Sequence, residues 1–104
     1  MSTEEFLRLA PFARRAGVAV TGRERLHRLS KRLLFIWATE DTSERTWREL
    51  CAEAPCPVVR FLTSAEVEQA LGYRGTKVVG FLRSSLATSL YRACQGGPKR
   101  ESQP

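Results

Sequence analysis

Histidine and cysteine are scarce in this 104-residue chain, which has a single histidine and three unevenly spaced cysteines. The cysteines fit neither a disulfide framework nor a zinc-ligand spacing. Histidine-assisted catalysis at a serine or cysteine would have to use His27. No Walker loop, GxGxxG, HExxH or nucleophile elbow is present. The longest apolar run, Leu33 to Ala38, is far below the ~20 residues that cross a bilayer. The start of the chain carries Glu4 and Glu5 and lacks the basic, then apolar, layout of a signal peptide. These absences lead us to expect a reduced, cytoplasmic protein without metal, cofactor, membrane contact or small-molecule substrate.

What is present suits one compact domain. Apolar residues make up 42% of the chain, close to the ordinary globular share, so intrinsic disorder is not expected. A chain of this length buries about 60–68% of its unfolded surface and needs no staples. The reading is a single domain over residues 1–94, acting as a monomer, with a disordered tail at 95–104.

The net charge of +6 matters less than its placement. From Arg14 to Arg32 seven basic residues face one acid, Glu24. From Ala38 to Leu71 seven acids outnumber three arginines, and from Gly72 onward six basic residues stand against Glu101. Two basic segments thus flank an acidic middle, and folding can bring them onto one face. Arginine outnumbers lysine fourteen to three, which suits planar, forked recognition of phosphates. Clustered cations of this kind point either to nucleic acid or to a merely solvated basic face.

Helices alternate with short apolar strands. Ser2-Thr3-Glu4-Glu5 opens a helix whose apolar positions are Phe6, Leu9, Ala10, Ala13 and Ala16; Gly17 closes it, and Pro11 should kink it or shift its start. Val18-Ala19-Val20 forms a short strand. A second helix begins at Thr21-Gly22 with a stripe of Leu26, Leu29 and Leu33, leaving His27, Arg28 and Lys31 outside. Leu33 to Ala38 has the continuous apolar character of a strand covered on both faces. Thr42 or Ser43 caps a third helix with Trp47, Leu50, Cys51 and Ala54 inward, ended by Pro55 and Pro57. Val58 to Leu62 and Lys77 to Leu82 are further strands. Ser64 caps a short helix closed by Gly72, and Ser84 to Cys94 is the last helix. The alternation specifies a three-layer α/β/α sandwich on a mostly four-stranded mixed sheet. Leu26, Leu34, Ile36, Val59, Val79 and Phe81 are its expected core.

Each polar candidate also has a plain structural role. His27 reads as a surface or RNA-contacting residue, Glu40-Asp41 as a helix start rather than a metal pair, Cys51 and Cys56 as small buried hydrophobes, and Trp47 as core. Two places are richer. The helix start at Gly22 offers free N–H groups beside Arg23, Arg25 and Arg28, an anion site in which glycine permits close backbone approach. The loop Gly72-Tyr73-Arg74-Gly75-Thr76 offers an aromatic plane next to a cation, as unstacked RNA bases use. Tyr73 can equally be a simple loop anchor.

Taken in order, these segments resemble the kink-turn RNA-binding superfamily of ribosomal proteins L-seven-Ae and L-thirty-e, and most of all its small bacterial ribosome-associated members. The resemblance runs from residue 6 to about 93. Its blocks are Leu9 to Gly17 (LAPFARRAG), Val20-Thr21-Gly22 with the charged helix after it, and Leu33 to Ala38 with the acidic Glu40 to Thr46. They continue with Pro57-Val58-Val59, the helix end at Val67, Ala70 and Gly72, and Val78 to Phe81. The resemblance implies an α/β/α sandwich without enzymatic activity that binds structured, kink-turn-like RNA, ribosomal RNA among the candidates. It implies contacts from Gly22, Arg23, Glu24, Arg25, Arg28 and Lys31 at helix two and from Tyr73, Arg74 and Gly75 in the later loop. Glu24 and Arg25 stand where the family has an amide and an acid that read base edges; Arg28 keeps the charge of the family's lysine. A second reading, from another class, is a protein-interaction module on the same scaffold with the acidic middle as its partner surface.

Overall fold

The computed structural model describes residues 3–95. The order is α1 (Thr3–Arg15), β1 (Ala19–Val20), α2 (Arg23–Arg28), a 3-10 turn (Ser30–Arg32), β2 (Leu33–Ala38), α3 (Glu44–Glu53), β3 (Val58–Arg60), α4 (Ser64–Leu71), β4 (Val78–Leu82) and α5 (Ser85–Gln95). Gln95, assigned from sequence to the tail, closes α5; residues 96–104 lie outside the described part. The four strands form one mixed sheet in the order β1-β4-β2-β3, antiparallel except for the β2/β3 pair. This is the expected α/β sandwich.

The first helix shows how sequence dictates local structure. Phe6, Ala10 and Ala13 repeat at helical spacing and are fully buried. Gly17, at φ +75°, ends the helix: its N–H donates to the Arg14 carbonyl (3.1 Å) and that of Val18 to the Ala13 carbonyl (2.9 Å), the paired bonds of a Schellman cap. Pro11 sits inside α1 without moving its start, because buried residues on both sides hold the helix to the sheet. Ala16 is exposed.

One face of the sheet carries most of the core. Phe6 meets Trp37 and Phe61 edge to face at centroid distances of 4.7 and 4.9 Å, and Phe35 stacks on Phe81 at 4.8 Å. The Trp37 Nε1–H donates to the Phe61 carbonyl at 2.8 Å, so the indole is buried without an orphaned donor. Beside Phe6, Ala10 and Ala13 of α1, α4 supplies Val67 and Leu71 and α5 supplies Ala87, Leu90, Ala93 and Cys94 to the same cluster. Of the six expected core residues, Ile36, Val79 and Phe81 are buried, while Leu26, Leu34 and Val59 are half-buried.

The other face is thinner, and there the sequence reading needs correction. Helix α2 has only six residues and buries none of them. Leu26 and Leu29 are half-buried, Leu33 belongs to β2, and Lys31 lies in the 3-10 turn. A helix this short, followed by a 3-10 turn and then a strand, cannot extend its apolar stripe to a third turn. Helix α3 likewise buries nothing completely. Cys51 is exposed and Cys56 half-buried, so neither is the small buried hydrophobe expected. Trp47 is half-buried instead of core, with the Arg60 guanidinium 5.0 Å from its ring centroid. Ser43 caps α3 by accepting from the Thr46 N–H. Thr63, rather than Ser64, caps α4 in a reciprocal box with Glu66. Strand β3 stops at Arg60, and Phe61 and Leu62 are buried beyond it.

Candidate nucleic-acid interface

The short β1–α2 connection turns on Gly22, whose φ of +95° and ψ of 128° glycine alone adopts without strain. A Cβ there would touch nothing within 4 Å, so the glycine serves the turn and leaves open space outside it. The turn brings α2 over the sheet. Opposite runs α3, and between them lies an open groove of about 1060 Å³. Leu26, Leu33, Ile36, Leu50 and Val78 make its apolar floor; Arg23, Glu24 and His27 stand on one wall and Glu49 and Glu53 on the other. Gly80 keeps the floor thin, because a Cβ there would collide with the end of Leu26 and lie 2.9 Å from Leu33 Cδ2.

Residues far apart in sequence meet in this groove. Gly22, Arg23 and Glu24 share it with Thr76 and Lys77, the segment leading into β4. The rest of that loop does not line it. Tyr73 is half-buried beneath the Arg14 guanidinium, 4.4 Å from its ring centroid, and Arg14 Nη1 also donates to the Leu71 carbonyl. Gly72, at φ +80°, would place a Cβ 2.7 Å from Arg14 Nη1, so a side chain there would push the end of the guanidinium aside. Arg74 is exposed and lies 4.0 Å from Glu68. Gly75 turns the chain at φ +64°. The structure thus brings Gly22, Arg23 and Glu24 to the groove and sets Tyr73, Arg74 and Gly75 apart from it.

Arg25, Arg28 and Lys31 are exposed and form no ion pair among the described residues. Arg32 and Arg83, also exposed and unpaired among those residues, join them, since the Arg83 N–H donates to the Arg32 carbonyl at 2.9 Å. A cationic face therefore flanks a groove whose own rim mixes both signs. Within that rim, Arg23 reaches Glu49 at 4.0 Å with both side chains solvated, a pair worth little in water. Lys77, Glu49 and Glu53 escaped the sequence reading. Lys77 directly before a strand carried a usable signal; the acids of α3 carried none without the three-dimensional neighbourhood.

Two of the three thiols are held in their protonated form. Burial pushes the Cys94 thiol up to about 12, and burial also raises Cys56 against the opposing charge of Arg83. Raised thiols are poor nucleophiles. Among the described residues no group of three or more His, Cys, Asp or Glu could hold a metal, and no helix is long and apolar enough to cross a membrane.

No family model matches the chain, and no curated protein matches it in sequence. Solved structures do match in fold. A protein of unknown function from Bacillus halodurans superposes with a TM-score of 0.77 at 20% identity, over 88% of this chain and 97% of that one. The 15.5kD RNA binding protein of Giardia lamblia superposes with a TM-score of 0.66 at 12% identity, over 86% of this chain and 82% of that one. At these identities the likeness is one of fold.

Proposed function

We propose that this protein binds structured RNA without catalysing a reaction on it. The fold it shares with an RNA-binding protein from Giardia supports that reading. The observation that carries it is the meeting of the Gly22–Arg23 turn with Thr76–Lys77 in one groove, beside a cationic face of Arg25, Arg28, Lys31, Arg32 and Arg83. Phosphates would lie along the cations and position the RNA, while the groove, with an apolar floor and side chains of both signs on its rim, would take base edges. Glu24 at the groove favours structured RNA in general over strict kink-turn reading, because a carboxylate accepts but does not donate hydrogen bonds. Within this reading residues 1–94 are a single cytoplasmic, monomeric RNA-binding domain associated with the ribosome, and ribosomal RNA is the natural candidate ligand.

The protein-partner reading has weaker support. Of the seven acids in the middle segment, Asp41, Glu44, Glu49, Glu66 and Glu68 already take partners within the chain. Little unpaired acid is left to face a partner.

The experiment is a salt titration of binding to a kink-turn RNA and to a plain duplex of equal length. With about four phosphates neutralised, log affinity should fall with log salt at a slope of roughly −3 to −4, about a hundredfold between 50 and 200 mM. Arg28→Ala should weaken both RNAs alike and lower the slope by about one. A salt-insensitive interaction, or an Arg28→Ala variant indistinguishable from wild type on both RNAs, would overturn the reading.

A further inference from the structure

Helix α1 buries Phe6, Ala10 and Ala13 against the sheet. The stripe Arg8, Phe12 and Arg15, offset by two residues, points the opposite way. Phe12 is 51% exposed, the one large apolar side chain so exposed among the described residues. The Arg15 guanidinium lies 4.9 Å from its ring centroid. Arg8 is exposed one turn earlier, about 10 Å from Arg15 along the axis at 1.5 Å per residue. Between Arg8 and Arg15 the chain holds three arginines and no acid, and neither end of the stripe forms an ion pair among the described residues.

We propose that the outer face of α1 is a second RNA-contact surface, on which Phe12 stacks an unpaired base while Arg8 and Arg15 hold the phosphates beside it. The groove lies on the opposite face of the sheet, so both surfaces can be occupied at once and the protein can bridge two RNA segments. The inference extends the RNA reading above but has its own residues. Its chemistry favours single-stranded RNA over a protein. A planar cation already rests on the Phe12 ring, and aromatic rings and guanidinium planes both stack bases. A protein interface would need about 1,000 Å² of complementary surface with an apolar centre, and a lone phenylalanine in a cationic field does not supply that centre.

The test uses the full chain and a fluorescent, short uridine oligonucleotide, with and without saturating unlabelled kink-turn RNA. The oligonucleotide should stay bound when the kink-turn RNA is added. Phe12→Ala should weaken it roughly five- to a hundredfold, the range of one lost base stack, with an unchanged unfolding midpoint and unchanged affinity for kink-turn RNA. Arg15→Ala should weaken it and flatten its salt dependence. Competition by kink-turn RNA, or an unchanged affinity in Phe12→Ala, would overturn the second surface while leaving the groove reading intact. A polyglutamate peptide bound as tightly, with the same loss in Phe12→Ala, would overturn it in favour of an acidic protein partner. If kink-turn RNA fails to bind while the oligonucleotide binds through Phe12, the groove reading falls and this one stands.

Discussion

On one face of the sheet, three helices close over a cluster of Phe6, Phe35, Trp37, Phe61 and Phe81 that is almost entirely dry. On the other, α2 and α3 bury no residue completely and leave a groove between them. The same strands serve both: Phe35 and Trp37 point into the aromatic cluster while Ile36 forms groove floor, as the two-residue side-chain period of a strand requires. The division separates tasks. Apolar burial on one side supplies the stability, which frees the other side to expose charge and half-wet apolar surface.

That contrast predicts the largest effect. Trp37→Ala removes the centre of the aromatic cluster and orphans the Phe61 carbonyl, and should cost about 3–5 kcal/mol. Leu50→Ala in the groove floor, where the side chain is half-buried, should cost about 1 kcal/mol. Chemical unfolding of both variants measures the gap. Equal losses would mean that the groove is closed in solution and that the two faces do not differ as described.

A smaller effect tests the rigidity of the thin face. Gly22→Ala places a Cβ in open space, so contacts alone predict no change. The backbone predicts otherwise: φ +95° with ψ 128° should cost a residue with a side chain about 1–3 kcal/mol. Unfolding midpoints of Gly22→Ala and wild type decide between the two. An unchanged midpoint would show that the β1–α2 turn relaxes freely and that the groove has no fixed rim there.

The same contrast explains what the sequence could show. Strand β2 was legible to the residue and the close of α1 at Gly17 was legible to within one residue, because a continuous apolar run and an αL glycine are local signals. The thin face was not. A half-buried helix such as α3 carries the same apolar spacing as a buried one, so Trp47 and Cys51 read as core although α3 buries neither. The length of α2 failed for a related reason: Leu26, Leu29 and Leu33 keep helical spacing across a boundary that only pairing with β4 fixes. In the site, Gly22 and Arg23 could be read locally. The anchoring of Tyr73 by Arg14 could not, since 59 positions separate them and any exposed arginine has the same local pattern.

The smallest effect concerns the seam between the faces. Asp41, in the loop that leads to α3, accepts from the Ser64 hydroxyl at 2.5 Å and from the Ser64 N–H at 3.0 Å. Ser64 is the first residue of α4, which packs on the opposite face. The Ser64 hydroxyl first, and Thr39 second, hold the Asp41 carboxyl well below its ordinary value of 3.8. A carboxyl lowered in the folded state stabilises fully above that ordinary value, and its contribution drains away as the pH falls below it. The group is solvent-exposed, so the effect should be modest and screened by salt. Asp41→Asn should therefore be less stable than wild type near neutral pH, and the two unfolding midpoints should converge as the pH is lowered toward 2. The convergence should persist in Asp41→Asn carried on a Leu50→Ala background, since loosening the groove leaves the Ser64 bonds in place. Midpoints that stay parallel from neutral to acid pH would mean that the Asp41 charge does not hold the two layers together.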